Sequence, residues 1–538
     1  MAHQGYTVRH TTSGHVRGMS HSGVASFLGI PYGASTAGAG RWRRARPPES
    51  WHGIRDALTF GPAAPQVDLR IEATGIWPQV LDLIYPRSGA PTEGMPMGED
   101  CLVLNVWAPS EVPADGLPVM VWFHGGGFHH GAGSEMFFSG DAIARTGRAI
   151  VVTVNHRIGL MGFLALDHLL GDGYAGSGQV GVDDMVVALE WVSDNIESFG
   201  GDPGRITIFG QSGGGAKVAT LLAMPHLEGS IHGAILQSGP IRWFQTPDRA
   251  RDVTSRVLDA AGLTEVEADL LLELPLRSLL AIQRRGRPLE DGSRPIIDGD
   301  LIPAEPFHTE AASHLAEVPL MIGTTSHEMS LLLSEREDYA GLTYEQLPEA
   351  VAHTHGDAAD TAVTAARTAH PEEPAPLVLA RILTQASFTA SAVTAATRKS
   401  RQAAPVYAYE FAYQTDALGG LLGATHSLEI PYVFGTVARS PFAGARPERF
   451  RVSERVRDAW ISFAETGSPN HLDIPDWPTY DETTRSTMVI DTHWKAVSGP
   501  DCDLNASPSG LAMWPDAWVA ASASAPGPNR HNDESETQ

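Results

Sequence analysis

Apolar residues in this chain follow two rhythms. Six short runs carry almost no polar alternation: "PVMVWF" (118–123), "AIVVTV" (149–154), "RITIFG" (205–210), "GAILQS" (233–238), "VPLMIG" (318–323) and "PVYAYEF" (405–411). Unbroken apolar strands are covered on both faces, which predicts a parallel or mostly parallel sheet. The second rhythm is helical. In "MVVALEWVSDNIESF" (185–199), Val186, Leu189, Val192, Ile196 and Phe199 recur on one side, and "GGDPG" then stops the helix. Alternation of the two predicts an α/β fold with helices on both faces of the sheet.

Other segments break the rhythm. Residues 61–97 are rich in Pro and Gly and read as a long surface loop or lid. Residues 255–290 and 335–402 are helical and rich in Ala and Leu, as insertions over one end of the sheet would be. Residues 521–538, "ASASAPGPNRHNDESETQ", read as a disordered tail. No composition break precedes that tail, so residues 1–520 are expected to form one domain.

Composition narrows the function. The 538 residues suffice for a large core, and 42% hydrophobic with 19% charged residues is ordinary for a soluble globular protein. A formal net charge of −25 argues against nucleic acid and against attraction to anionic membranes. The only cysteines, Cys101 and Cys502, cannot make a disulfide framework and are expected as free thiols. The N-terminus lacks a basic stretch followed by an apolar run, and no run reads as long enough to span a bilayer. A cytoplasmic monomer or weak homo-oligomer is expected.

Chemistry concentrates in "IFGQSGGGAK" (208–217). A phosphate loop needs G-x-x-x-x-G-K-[ST]. Gly210 and Gly215 have the right separation, but Ala216 intervenes before Lys217, and Val218 stands where a hydroxyl is required. "GSGQVG" (176–181) matches G-x-G-x-x-G but follows no strand. The third reading, G-x-S-x-G between the strand "RITIFG" and the helix-forming "AKVATLLAM", fits its surroundings. It predicts a nucleophile elbow, with Ser212 at the carboxyl edge of the sheet and the Gly213 N–H at a helix N-terminus. A second glycine loop, "WFHGGGFHHG" (122–131), directly follows the strand "PVMVWF" and could supply further donors to an oxyanion.

Spacing alone leaves the partners open. Chain order in such folds is serine, acid, histidine. Glu328 follows "VPLMIG", with Asp298 in "PIIDGD" as a rival; His426 follows "PVYAYEF" and a glycine-rich loop. His327 is expected on the surface.

The chain resembles the type-B carboxylesterase and cholinesterase family of α/β-hydrolases. The blocks that carry the resemblance are "FLGIPYG" (27–33), "GEDCLVLNVWAP" (98–109), "HGGGF" (124–128), "NHRIGLMGF" (155–163), "FGQSGGG" (209–215), "GTTSHE" (323–328), "THSLEIPYVFG" (425–435) and "WISFAETGSPN" (460–470). The resemblance implies Ser212 as nucleophile, Glu328 as acid and His426 as base. It implies Gly126, Gly127 and Gly213 as oxyanion donors, and Arg41–Glu99 and Arg157–Asp184 as structural ion pairs. It implies a small ester substrate and no metal or organic cofactor. Gln211 and Gly213 depart from the family's usual acidic residue and alanine, and Met329 from its glycine after the acid. A carbamate or amide hydrolase with the same groups, and a non-catalytic binding relative, remain alternatives.

Overall fold

The centre of the molecule is the strand β6, Leu117–Phe123, in which all seven residues are buried. Val119, Val121 and Phe123 enter one apolar cluster, Met120 and Trp122 the other, so each face of the sheet has its own core. The computed structural model describes residues 5–67, 74–85, 96–111, 115–239, 243–284, 293–307 and 315–499. The expected tail at 521–538 and Cys502 lie outside them, as do parts of the 61–97 segment.

Around β6 the sheet has the order β1-β2-β3-β5-β7-β6-β8-β9-β10-β11-β12-β13 among the described residues, with β4 paired to β2. The strands are β1 Gly5–Thr11, β2 Gly14–His21, β3 Val24–Pro31, β4 Ile54–Asp56, β5 Val103–Pro109, β7 Ile150–Val154, β8 Gly201–Gln211, β9 Gly233–Gln237, β10 Leu320–Thr325, β11 Val406–Phe411, β12 Thr487–Ile490 and β13 Lys495–Val497. From β7 to β12 every pairing is parallel. The six apolar runs of the sequence are six of these seven strands. The antiparallel strands β1, β2, β3 and β5 at one end are not among those runs.

Helices cover both faces. α1, Val180–Asn195, and α2, Gly213–Leu222, pack on the Val121 side. The helix expected to reach Phe199 is α-helical only to Asn195. A 3-10 turn then ends at Gly200, whose φ of 88° is the left-handed stop that glycine permits. In the second insertion, α3, Ala375–Thr384, and α4, Ala390–Lys399, are joined through a π-helical turn, Gln385–Thr389. On the Trp122 side α5, Arg449–Thr466, buries Val456, Trp460 and Phe463.

Two expectations need correction. The 61–97 segment is not all loop, because Trp77–Ile84 forms a helix with Val80 and Leu81 buried. The 25-residue rod Ala375–Lys399 is long and apolar enough to cross a membrane by length and composition. All ten residues of α3 are buried within the fold, and Arg381 on it is ion-paired to Glu373. The implied ion pairs are both present. Arg157 binds Asp184 at 2.6 Å with both side chains almost fully buried, and Arg41 grips Glu99 while donating to the carbonyls of Leu272 and Leu274.

Candidate active site

Strand β8 runs directly into α2, and Ser212 is the corner. Its φ of 57° and ψ of −123° are a strained conformation for a non-glycine residue, of the kind that costs about 1–3 kcal/mol and concentrates at functional sites. Glycines make the corner possible. A Cβ at Gly210 would lie 2.5 Å from the Gly214 carbonyl carbon, and one at Gly214 would overlap the Phe123 carbonyl. From Ile206 to Met224 every residue is buried except Ser212, which is half-buried. The corner therefore offers one accessible hydroxyl from an otherwise closed core.

The glycine loop after β6 meets this corner. Gly126 (φ 77°) and Gly127 (φ 64°) take left-handed conformations. Neither N–H donates to a partner among the described residues. A Cβ at Gly213 would stand 2.5 Å from the Gly127 nitrogen, so the backbones of Gly213 and Gly127 approach too closely for any residue but glycine. The loop is fastened from several sides. The His130 N–H donates to the Gly126 carbonyl at 2.9 Å and the Gly159 N–H to the Phe128 carbonyl at 2.7 Å. Gln66, from the 61–97 segment, both donates to and accepts from the backbone of Gly131.

The expected acid and base come from the ends of neighbouring parallel strands, β10 and β11. His426 Nδ1 lies 2.5 Å from Glu328 Oε2. The other Glu328 oxygen accepts from the Ser238 hydroxyl at 2.5 Å and the Thr325 N–H at 2.7 Å, so the buried carboxylate is fully bonded. The imidazole sits beside the elbow: the amide nitrogen of Gln211, the residue before Ser212, is 3.3 Å from His426 Nε2. Ser427 in turn donates to Gln211 Oε1 at 3.0 Å, and the Phe388 ring, on the π-helical turn, lies 5.1 Å from the imidazole. Glu328 and Gln211 are the ring's hydrogen-bonding neighbours, and the Ser212 hydroxyl is not among them. Enzyme hydrogen bonds of this kind commonly tighten only with substrate.

Several residues sit elsewhere than expected, or had no part in the expectation. Asp298, the rival acid, is exposed and caps its own turn, accepting from the N–H groups of Asp300 and Ile302 and from Gln179. His327 is not on the surface but fully buried. Its Nδ1 accepts from the Ala424 N–H at 3.2 Å, so its Nε2 carries the proton and faces Glu373 at 3.1 Å. Arg381 of α3 completes that cluster, which clamps the His426 loop, the Glu328 turn and the insertion together. Thr384 adds a bond from the Met329 N–H.

Glu429, three residues beyond His426, was missed. Burial, and then the nearby Glu328 charge, push its carboxyl up to about 8. Gln237 donates to one of its oxygens at 3.3 Å, and the other has no hydrogen-bond partner among the described residues. The single i, i+3 spacing of His426 and Glu429 was the one available signal, and one such spacing does not single out a residue.

Among the described residues, no group of His, Cys, Asp and Glu side chains is arranged to hold a metal ion.

Comparison with known proteins identifies the family. Residues 5–504 match the model of the carboxylesterase family. The chain is 34% identical to para-nitrobenzyl esterase of Bacillus subtilis, over 94% of this chain and 98% of that protein. It is 32% identical to phenmedipham hydrolase of Pseudarthrobacter oxydans, over 90% and 94%. Among solved structures, the carboxylesterase EST55 of Geobacillus stearothermophilus superposes with a TM-score of 0.77 at 34% identity, over 92% of this chain and 98% of that one.

Proposed function

Since this chain belongs to the carboxylesterase family, has its α/β-hydrolase fold and is a carboxylic ester hydrolase, we propose that it works through Ser212, His426 and Glu328 and an acyl-enzyme intermediate. The observation that carries the reading is the 2.5 Å contact between His426 Nδ1 and Glu328 Oε2, made beside the one accessible hydroxyl of the elbow.

The steps follow from the groups present. Ser212 Oγ attacks the acyl carbonyl while His426 Nε2 takes its proton. Glu328 keeps the proton of Nδ1 in place, which leaves Nε2 as the acceptor, and stabilises the imidazolium that forms. The N–H groups of Gly126, Gly127 and Gly213 hold the oxyanion of the tetrahedral intermediate; each such donor is worth about 3–4 kcal/mol of barrier. Nε2 then protonates the leaving alcohol oxygen. A water molecule, deprotonated by the same nitrogen, attacks the acyl carbon; the bond to Ser212 Oγ breaks, Nε2 returns the proton to that oxygen, and the acid is released. With Gln211 in place of an acidic residue, this site sets one less negative charge beside the imidazolium.

Phe388, on the π-helical turn, is the ring packed against the base and is expected to limit the substrate's size. A small ester is the expected substrate. A carbamate is the second reading, favoured by the similarity to phenmedipham hydrolase; it would use the same groups. Hydrolysis of a para-nitrophenyl ester and of the matching carbamate, by the wild type and by Ser212→Ala, separates these readings. Turnover of the ester by the wild type alone is expected. Undiminished turnover by Ser212→Ala would remove Ser212 from the mechanism, and no turnover or fluorophosphonate labelling by the wild type would leave a binding protein.

A further inference from the structure

Lys217 lies five residues beyond Ser212 on α2, and no step above uses it. It is completely buried, where lysine is rare and needs a reason. Its Nζ donates to the carbonyl of His124 at 2.8 Å. The same Nζ stands 5.6 Å from the centre of the Phe128 ring. His124 immediately precedes the Gly125–Gly127 run and Phe128 immediately follows it. One amine on the nucleophile's helix thus touches both ends of the glycine loop.

Glycine runs have an entropic difficulty. Three consecutive glycines lose more backbone freedom on ordering than any other tripeptide. Oxyanion donors, however, act only if they are already in place when charge develops. The His130, Gly159 and Gln66 contacts hold the loop to its own surroundings. The Lys217 contact is different, because it spans the gap between the loop and the helix that begins with Gly213. We propose that Lys217 is a positioning residue that sets the Gly126 and Gly127 donors against Ser212 and Gly213. This rests on the reading of those three glycines as the oxyanion site.

The surroundings accommodate either protonation state. Burial pushes the Lys217 ammonium well below its ordinary range, while Glu135, half-buried, acts in the opposite direction. His124 and His156, stacked 4.9 Å apart, are held neutral chiefly by burial, with Lys217 adding to it. An amine and an ammonium both donate to His124, so the tie does not depend on the charge. A side chain of equal length without a donor would fill the space and lose the tie.

Lys217→Met is the test. It is expected to lower kcat at least 20-fold with KM within threefold of the wild type. Affinity for a trifluoromethyl ketone, which adds Ser212 Oγ across its carbonyl and places an oxyanion in the site, is expected to fall by a similar factor. A role in packing alone would lower the melting temperature and leave both ratios unchanged; that result in a folded Lys217→Met overturns the proposal. Should the variant not fold, a crystal structure of the wild-type adduct decides: Nζ within hydrogen-bonding distance of the His124 carbonyl supports the tie, and Nζ turned away from it refutes it. Loss of the oxyanion reading itself would show differently, as an adduct whose oxygen points away from Gly126 and Gly127.

Discussion

His426 Nδ1 and Glu328 Oε2 are 2.5 Å apart although 98 residues separate them in the chain. Strands β10 and β11 pair in parallel, Thr325 opposite Phe411, so the segments that follow both strands emerge at the same edge of the sheet. Glu328→Gln keeps the size of this group but can present its amide N–H to the imidazole. The wrong tautomer would then face Ser212, and kcat is expected to drop by about 10³–10⁴-fold. Steady-state ester hydrolysis measures it, and a loss below tenfold would remove Glu328 from its role.

Gly213→Ala would restore the residue common in the family yet is expected to harm this protein. The new Cβ would stand 2.5 Å from the Gly127 nitrogen, forcing the glycine loop off the elbow. A fall in kcat of about 10²–10³-fold, the size of one lost oxyanion donor, is the expected result. Wild-type kinetics in this variant would show that the loop yields without cost.

His327 acts through its neighbours. In His327→Ala the Ala424 N–H is left without its buried acceptor, while Glu373 loses one contact but keeps Arg381. The cost is expected at about 1–3 kcal/mol per group left unsatisfied. Because the clamp holds the His426 loop and not the substrate, kcat should fall while KM stays near the wild-type value. Denaturant titration and initial rates on the same preparation check both parts.

Glu429 gives stability a pH dependence of definite sign. Its carboxyl, ordinarily near 4.5, titrates near 8 in the folded protein. Between those values the folded state holds a proton that the unfolded chain has lost. The contribution is therefore complete below about 4.5 and disappears as the pH rises through about 8, with a slope of at most about 1.4 kcal/mol per pH unit. Glu429→Gln removes that slope. Compared by denaturant titration from pH 5 to 8, the variant should gain on the wild type as the pH rises; parallel curves would contradict the assignment.

Asp184→Asn should be the most destabilising of these changes. It leaves Arg157, almost wholly buried, without the carboxylate that binds its side chain and its N–H. Breaking a buried pair by removing one partner costs about 3–5 kcal/mol. The midpoint of chemical denaturation should shift accordingly, while any folded enzyme remains active because neither group touches the site.

Legibility in the sequence followed locality. Ser212 could be read because strand, glycines and helix are contiguous, and steric demands at the corner permit few alternatives. Val119, Val121 and Phe123 face one core and Met120 and Trp122 the other; the uninterrupted run announced this without naming what covers each face. His327 was misplaced because adjacency to Glu328 says nothing about Glu373 and Arg381, which arrive from 46 and 54 residues away. Asp298 stood as a rival to Glu328 on spacing, and their surroundings, a solvent-exposed turn against a buried set of donors, separate them.

The six buried strands, the elbow and the glycine loop are properties of short stretches, whose apolar period and backbone sterics are written in neighbouring residues. Which histidine meets which carboxylate, that Lys217 reaches both ends of the glycine loop, and that burial and Glu328 raise the Glu429 carboxyl are properties of the packed sheet. Hydrogen bonds and desolvation act through a few ångströms of space, and the distance along the chain between such groups carries no information about that space until the strands have paired.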